Sequence, residues 1–210
     1  METTPTTPAT ATTPAAAFLI LHGWQNHRPE GHWQYQLAAA LTDRGAAVAY
    51  PQLPDPDTPD LGVWLSRLDA ELKAQQDAAT GERVVVAHSL SASLWLHAAA
   101  RGGVRADRVL LVAPPSDAVL RGFPEVAAFA GGAPTAAQMA AAAGTTRLVA
   151  GDDDPYCPGG AAEVFGRPLG LDVDVVPGGA HLDMDAGYGS WQAVLDWCLD
   201  PQVRLTARTA

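Results

Sequence analysis

Ser89 stands in the run Ala87-His88-Ser89-Leu90-Ser91, directly after the apolar stretch Arg83-Val84-Val85-Val86 and at the head of an Ala/Leu-rich helical segment. A serine on a sharp strand-to-helix turn is held out as a nucleophile, and the crowding of such a turn leaves room for little more than glycine two residues before and after it. Ala87 and Ser91 occupy those two positions here, and both are small. Taken alone, the run reads equally well as an ordinary turn with Ser89 capping the helix. A serine hydroxyl needs a base to take its proton, and the base needs an acid to orient it. Both residue types follow downstream. The apolar run Arg147-Leu148-Val149-Ala150 leads into Gly151-Asp152-Asp153-Asp154-Pro155, and the run Asp172–Val176 leads through Pro177-Gly178-Gly179-Ala180 to His181. Singly, the aspartates read as a solvated turn and His181 as a surface histidine. In the order serine, acid, histidine, each beyond a strand's carboxyl end, they predict nucleophilic acyl transfer by Ser89 with His181 as base. The acid is one of this cluster, and Pro155 biases Asp154 toward extended backbone, consistent with a side chain aimed off the strand end. Asp152 and Asp153 are its rivals, and Asp183 is a more distant one.

The oxyanion of a tetrahedral intermediate needs two donors, usually backbone N–H groups. Leu90 N–H, directly after the nucleophile, is the expected first donor. The second is placed at Trp24, after the first apolar run, where Gly23 in Leu21-His22-Gly23-Trp24 permits the turn. Trp24, His27, His32 and Trp33 crowd that loop, and Phe123, Phe129 and Tyr156 lie on other loops expected at the same edge. A small apolar substrate pocket is therefore expected from Trp24, His27, Trp33, Phe123, Phe129 and Tyr156, although each could instead pack its loop onto the body. His88 is expected only to pack. No cofactor is called for, and no metal, because the aspartate run lacks histidine at ligand spacing.

These residues require a particular scaffold. Six short apolar runs read as strands: 17–21, 46–50, 83–87, 108–112, 146–150 and 172–176. Between them, Leu37 and Leu41 mark one helix that ends at Gly45. Leu61, Trp64, Leu65, Leu68 and Leu72 mark a second, capped by Thr58 with Pro59 in its first turn. Leu90, Leu94 and His97 mark a third that stops at Gly102-Gly103, and Trp191, Val194, Leu195 and Cys198 mark a last one, capped by Ser190. Continuously apolar strands alternating with helices predict an α/β fold, a three-layer sandwich around a mostly parallel sheet. The Pro/Gly-punctuated stretch 114–144 reads as one or two short helices over the sheet's carboxyl edge, where open α/β sheets bind ligands. No long insertion separates the fourth and fifth strands, so no large lid is expected and short-chain esters or small amides are favoured.

With 210 residues, 48% of them hydrophobic and 17% charged, the chain can bury one sizeable core. One domain is expected over residues 16–202, between a disordered Thr/Pro/Ala-rich tail (1–15) and a short C-terminal tail (203–210). A formal charge of −10 without any Lys/Arg cluster argues against nucleic-acid and membrane partners and leaves a small ester or amide as the expected one. Cys157 and Cys198 are neither paired like zinc ligands nor dense enough for a disulfide scaffold, so a reducing, cytoplasmic setting is expected.

Several motifs together resemble the α/β-hydrolase superfamily, and within it the small serine hydrolases related to the retinoblastoma-binding serine hydrolase and its bacterial relatives. They are Val86-Ala87-His88-Ser89, Leu53-Pro54-Asp55-Pro56 with Trp64 in the next helix, Leu111-Val112-Ala113-Pro114, Asp153-Asp154-Pro155 with Pro158, and Gly179-Ala180-His181, spread over about residues 18–197. The resemblance implies a compact hydrolase with strand order 2-1-3-4-5-6, Ser89 as nucleophile, Asp154 as acid and His181 as base. The chain departs from that pattern at the elbow and at Ala180, where glycine normally precedes the histidine. A small-peptide peptidase using the same triad, and an interaction protein on a hydrolase scaffold, are the alternative functions.

Overall fold

The apolar runs form strands because both faces of the sheet are covered, so successive side chains alternate between two cores. In the computed structural model, which describes residues 16–208, the strands are β1 (Ala17–Leu21), β2 (Ala47–Ala49), β3 (Arg83–His88), β4 (Ala106–Val112), β5 (Ala143–Gly151) and β6 (Asp172–Val176). They build one sheet in the order β2-β1-β3-β4-β5-β6, and every neighbouring pair is parallel. The tail assigned to 1–15 lies outside the described residues.

Leu19, Leu21, Val85, Ala87, Val109, Leu111 and Leu148 face one layer, with α2 (Leu61–Ala78), α3 (Leu90–Arg101) and α5 (Ala136–Ala142) above them. Phe18, Ile20, Val84, Val86, Leu110, Val112 and Val149 face the other, under α1 (Trp33–Asp43) and α7 (Gln192–Leu199). The stretch 114–144 contains the short helix α4 (Asp117–Leu120), a 3-10 turn at Ala127–Phe129 and α5. A π-helical turn at Ala162–Gly166 runs into α6 (Arg167–Leu169).

Two helix starts differ from the sequence reading. Asp60, not Thr58, caps α2, its Oδ1 accepting from Val63 N–H at 2.8 Å. The carboxylate nearer the first turn wins that role, and Pro59 precedes the helix. Trp191 stands at the cap of α7 with no side-chain bond, so Ser190 does not cap it. At the opposite end of α7, buried Arg108 from β4 donates to Trp197 O and Cys198 O, both at 2.9 Å, which satisfies carbonyls the helix leaves open. The segment 203–208, read as a tail, packs on the sheet edge: Leu205 is buried, Arg204 pairs with Asp172 and Asp174, and Thr206 O accepts from Trp191 Nε1–H. Among the described residues no helix is long and apolar enough to cross a membrane.

Topology places the site. From β1 the chain moves outward to β2 and returns past β1 to β3, so the carboxyl ends of β1 and β3 flank the point where strand order reverses. Leu21 of β1 pairs with Ala87 of β3, which sets Gly23 beside Ser89 two residues later. Gly151 of β5 pairs with Val176 of β6, which sets the aspartate run beside the loop carrying His181.

Candidate active site

Ser89 sits between β3 and α3 with φ 57° and ψ −122°, a strained backbone for a residue with a Cβ. Its hydroxyl makes no cap bond to α3, which removes the capping reading. Instead Ser89 Oγ–H donates to His181 Nε2 at 2.9 Å. His181 Nδ1–H donates to the Asp154 carboxylate, 3.0 Å from each oxygen, and an acceptor-only carboxylate fixes the proton on Nδ1. Asp154 is 4% exposed and also accepts from Tyr156 N–H at 2.9 Å. The Tyr156 ring covers His181 with centroids 4.4 Å apart. In this arrangement the imidazole can take the hydroxyl proton while the carboxylate steadies the resulting cation.

The rival aspartates have other work. Asp152 Oδ1 accepts from Gly178 N–H at 2.8 Å and Asp153 Oδ1 from Ala180 N–H at 2.7 Å, so three consecutive carboxylates grip successive points of the histidine loop. The loop lies so close that a Cβ on Gly151 would collide with Ala180 O. Ala180, where the resemblance implies glycine, has φ 44°, and its strained conformation is held by the Asp153 bond. Asp183 Oδ1 accepts from Ala186 N–H at 3.0 Å and does not reach the His181 ring.

Elbow and first loop are tied together. Ser91 Oγ–H donates to His22 O, which the sequence showed only as a small residue at a crowded position. A Cβ on Gly23 would lie 2.8 Å from Ser89 Cβ, so this glycine is required by close approach rather than by a positive φ. Trp24 and Leu90 both border the cavity in front of Ser89, and Leu90 is the first residue of α3, whose open N–H groups face that end.

The cavity is about 460 Å³ in volume. Of the six residues expected to line it, Trp24, His27, Phe123 and Tyr156 do so, with the Trp24 and Phe123 rings edge to face at 5.3 Å. Phe129 does not: the 3-10 turn carries it down onto Trp64, ring centroids 5.3 Å apart, and Leu120 and Val126 take the wall instead. Trp33 does not either. It opens α1 beneath the site, donating Nε1–H to Leu182 O at 2.8 Å and packing edge-on to Trp191. His88, expected only to pack, also donates Nε2–H to His181 O at 3.1 Å. Asp183, Met184 and Asp185 complete the mouth; following His181 directly in the chain was the signal that could have placed them there.

Three buried histidines surround this framework uncharged. Burial brings His22 and His32 down to about 4 and His88 well below the ordinary histidine range. His22 uses its neutral form fully: Nδ1–H donates to Gly23 O at 2.8 Å and Nε2 accepts from Leu53 N–H at 2.8 Å. Because the unfolded chain protonates these rings near 6.5 and the folded one only near 4, the unfolded state binds more protons between those values. Stability is therefore full above about pH 6.5 and falls as pH drops toward 4, by on the order of 3 kcal/mol for each of His22 and His32 at full effect. Chemical denaturation at pH 7.5 and 4.5 measures that loss, and His22→Gln should flatten the slope.

A family model described as serine hydrolase matches residues 18–198. The chain belongs to the serine hydrolase family. Among solved structures, this serine hydrolase is similar to the ydeN gene product of B. subtilis, at 20% identity and TM-score 0.71, covering 88% of this chain and 97% of that one. A YdeN-like hydrolase from Pectobacterium atrosepticum follows at 18% identity and TM-score 0.64, covering 87% and 88%. The esterase domain of a Rhodothermus marinus protein superposes at 15% identity and TM-score 0.61, covering 86% and 84%. These likenesses establish the α/β-hydrolase fold of the serine hydrolase. No curated protein matches its sequence.

Proposed function

We propose that the protein hydrolyses small carboxylic esters through an acyl-enzyme on Ser89. The observation that carries this reading is the continuous bond series Ser89 Oγ, His181 Nε2, His181 Nδ1, Asp154 at 2.9 and 3.0 Å, opening onto a cavity with an apolar wall. Ser89 Oγ attacks the ester carbonyl carbon as its proton passes to His181 Nε2. Trp24 N–H and Leu90 N–H receive the charge that develops on the carbonyl oxygen. The intermediate collapses by breaking the bond to the alcohol, which leaves with the proton from Nε2. Water then attacks the acyl-serine, gives its proton to Nε2, and the proton returns to Ser89 Oγ as the acid departs. The wall formed by Leu120, Phe123 and Val126 favours short apolar acyl chains.

A fluorophosphonate probe with mapping of the labelled residue, run beside a chain-length series of nitrophenyl esters, tests the reading. Labelling of Ser89 and a rate maximum at short chains are expected; an unlabelled Ser89 overturns it. Gly23→Ala provides a finer check, because the new Cβ must push the Trp24 donor away from Ser89. A fall in kcat of about tenfold to a hundredfold is expected, with labelling slowed in parallel.

A further inference from the structure

The cavity walls differ in chemistry. Leu120, Phe123 and Val126 line it from one segment of the chain, and Asp183 and Asp185 line it from another that begins two residues after His181. Among the described residues no lysine or arginine lines the cavity. Arg28, on the neighbouring loop, is turned away onto the Tyr50 ring and Gln52, and Asp57 of the same region is paired to His27 at 3.1 Å. His32, 4% exposed, also lines this wall. Its Nδ1 accepts from Gln34 N–H at 3.2 Å, so its proton lies on Nε2, which has no partner among the described residues. The acidic wall therefore presents two carboxylates and one neutral N–H donor beside the group that delivers a proton to the departing alcohol.

We infer that this wall is a leaving-group subsite for amino-alcohol esters: an ammonium set against Asp183 and Asp185, and a nearby oxygen accepting from His32 Nε2–H. The inference rests on the esterase reading and narrows it. A leaving group with a free carboxylate, as a short peptide's C-terminal part would have, meets like charge with no lysine or arginine among the described lining residues to offset it. Electrostatic matching of this kind acts on capture and fades with added salt.

The test compares three butyrates of similar size: the choline ester, its uncharged 3,3-dimethylbutyl isostere, and an ester of a carboxylate-bearing alcohol. At low ionic strength kcat/KM is expected to fall about tenfold from cation to neutral and further to anion, and the spread should shrink at high salt. In Asp183→Asn/Asp185→Asn, where the amide oxygen introduced at position 183 can still receive Ala186 N–H, the ratio of kcat/KM for the cationic ester to that for the neutral one should drop below about threefold. Equal rates for the three esters, or a preference that survives the double variant, overturn the subsite. The same ordering is read without turnover from the rates at which phosphonates with cationic and neutral leaving groups label Ser89. Equal labelling overturns charge selection alone, whereas no labelling by either overturns the esterase reading with it.

Discussion

Ser89→Ala should leave the fold in place and lower the proposed hydrolysis by about ten-thousandfold or more, because neither oxyanion donors nor pocket would replace the attacking oxygen. The variant keeps the main-chain bonds Ser89 N–H to Val112 O and Ala92 N–H to Ser89 O, both 2.8 Å, so circular dichroism should be unchanged. Ser89→Gly should be equally inactive, yet melt higher than Ser89→Ala. At φ 57° and ψ −122° a Cβ is strained and glycine is not, a difference worth about 1 kcal/mol, or about 2–4 °C in Tm for a chain of this size. Thermal denaturation of the two inactive variants side by side measures the strain stored at the elbow without interference from activity. Equal melting temperatures would show that the elbow stores none.

The second large effect separates three adjacent carboxylates. Asp154→Asn should lower kcat about a thousandfold to ten-thousandfold with KM little changed, since an amide no longer fixes the proton on His181 Nδ1 or steadies the imidazolium. Asp153→Asn keeps an oxygen for Ala180 N–H and should cost less than about threefold, while Asp153→Ala releases that bond and lets the strained Ala180 relax, for about tenfold. Ala180→Gly added to Asp153→Ala should return most of the loss, because glycine holds φ 44° without the bond. Asp152→Ala should matter less again, since Gly178 lies further along the loop from His181. Steady-state kinetics on the five proteins decides the order, and an Asp153 variant as damaged as Asp154→Asn would mean that the acid has been misassigned.

The sheet was legible in the sequence because a parallel strand covered on both faces is apolar at nearly every position, a mark the inner strands carry and the edge strand β6, with Asp172 and Asp174, carries only in part. Their ends were less so: β4 begins at Ala106 and β5 at Ala143, where the chain is already hydrogen-bonded but not yet continuously apolar. Ser89, Asp154 and His181 could be read because each follows a strand end. What could not be read depends on direction. Trp33 and Phe129 are aromatic and near the edge, as Trp24 and Phe123 are, but only the turn of each backbone decides whether a ring meets the cavity or the core. Asp152 and Asp153 are chemically identical to Asp154, and their hydrogen-bond partners come from a loop whose path sequence alone does not trace.

The clamps on the histidine loop come from below and beside it, through Trp33, His88 and the aspartate run, while the apolar wall at Leu120, Phe123 and Val126 is supplied by a separate piece of chain. On the proposed reading, recognition and bond cleavage are thus built on independent parts. Exchanging or lengthening the α4 region would then retune acyl preference while leaving the proton path untouched, a division of labour by which so small a hydrolase could diversify without rebuilding its reactive centre.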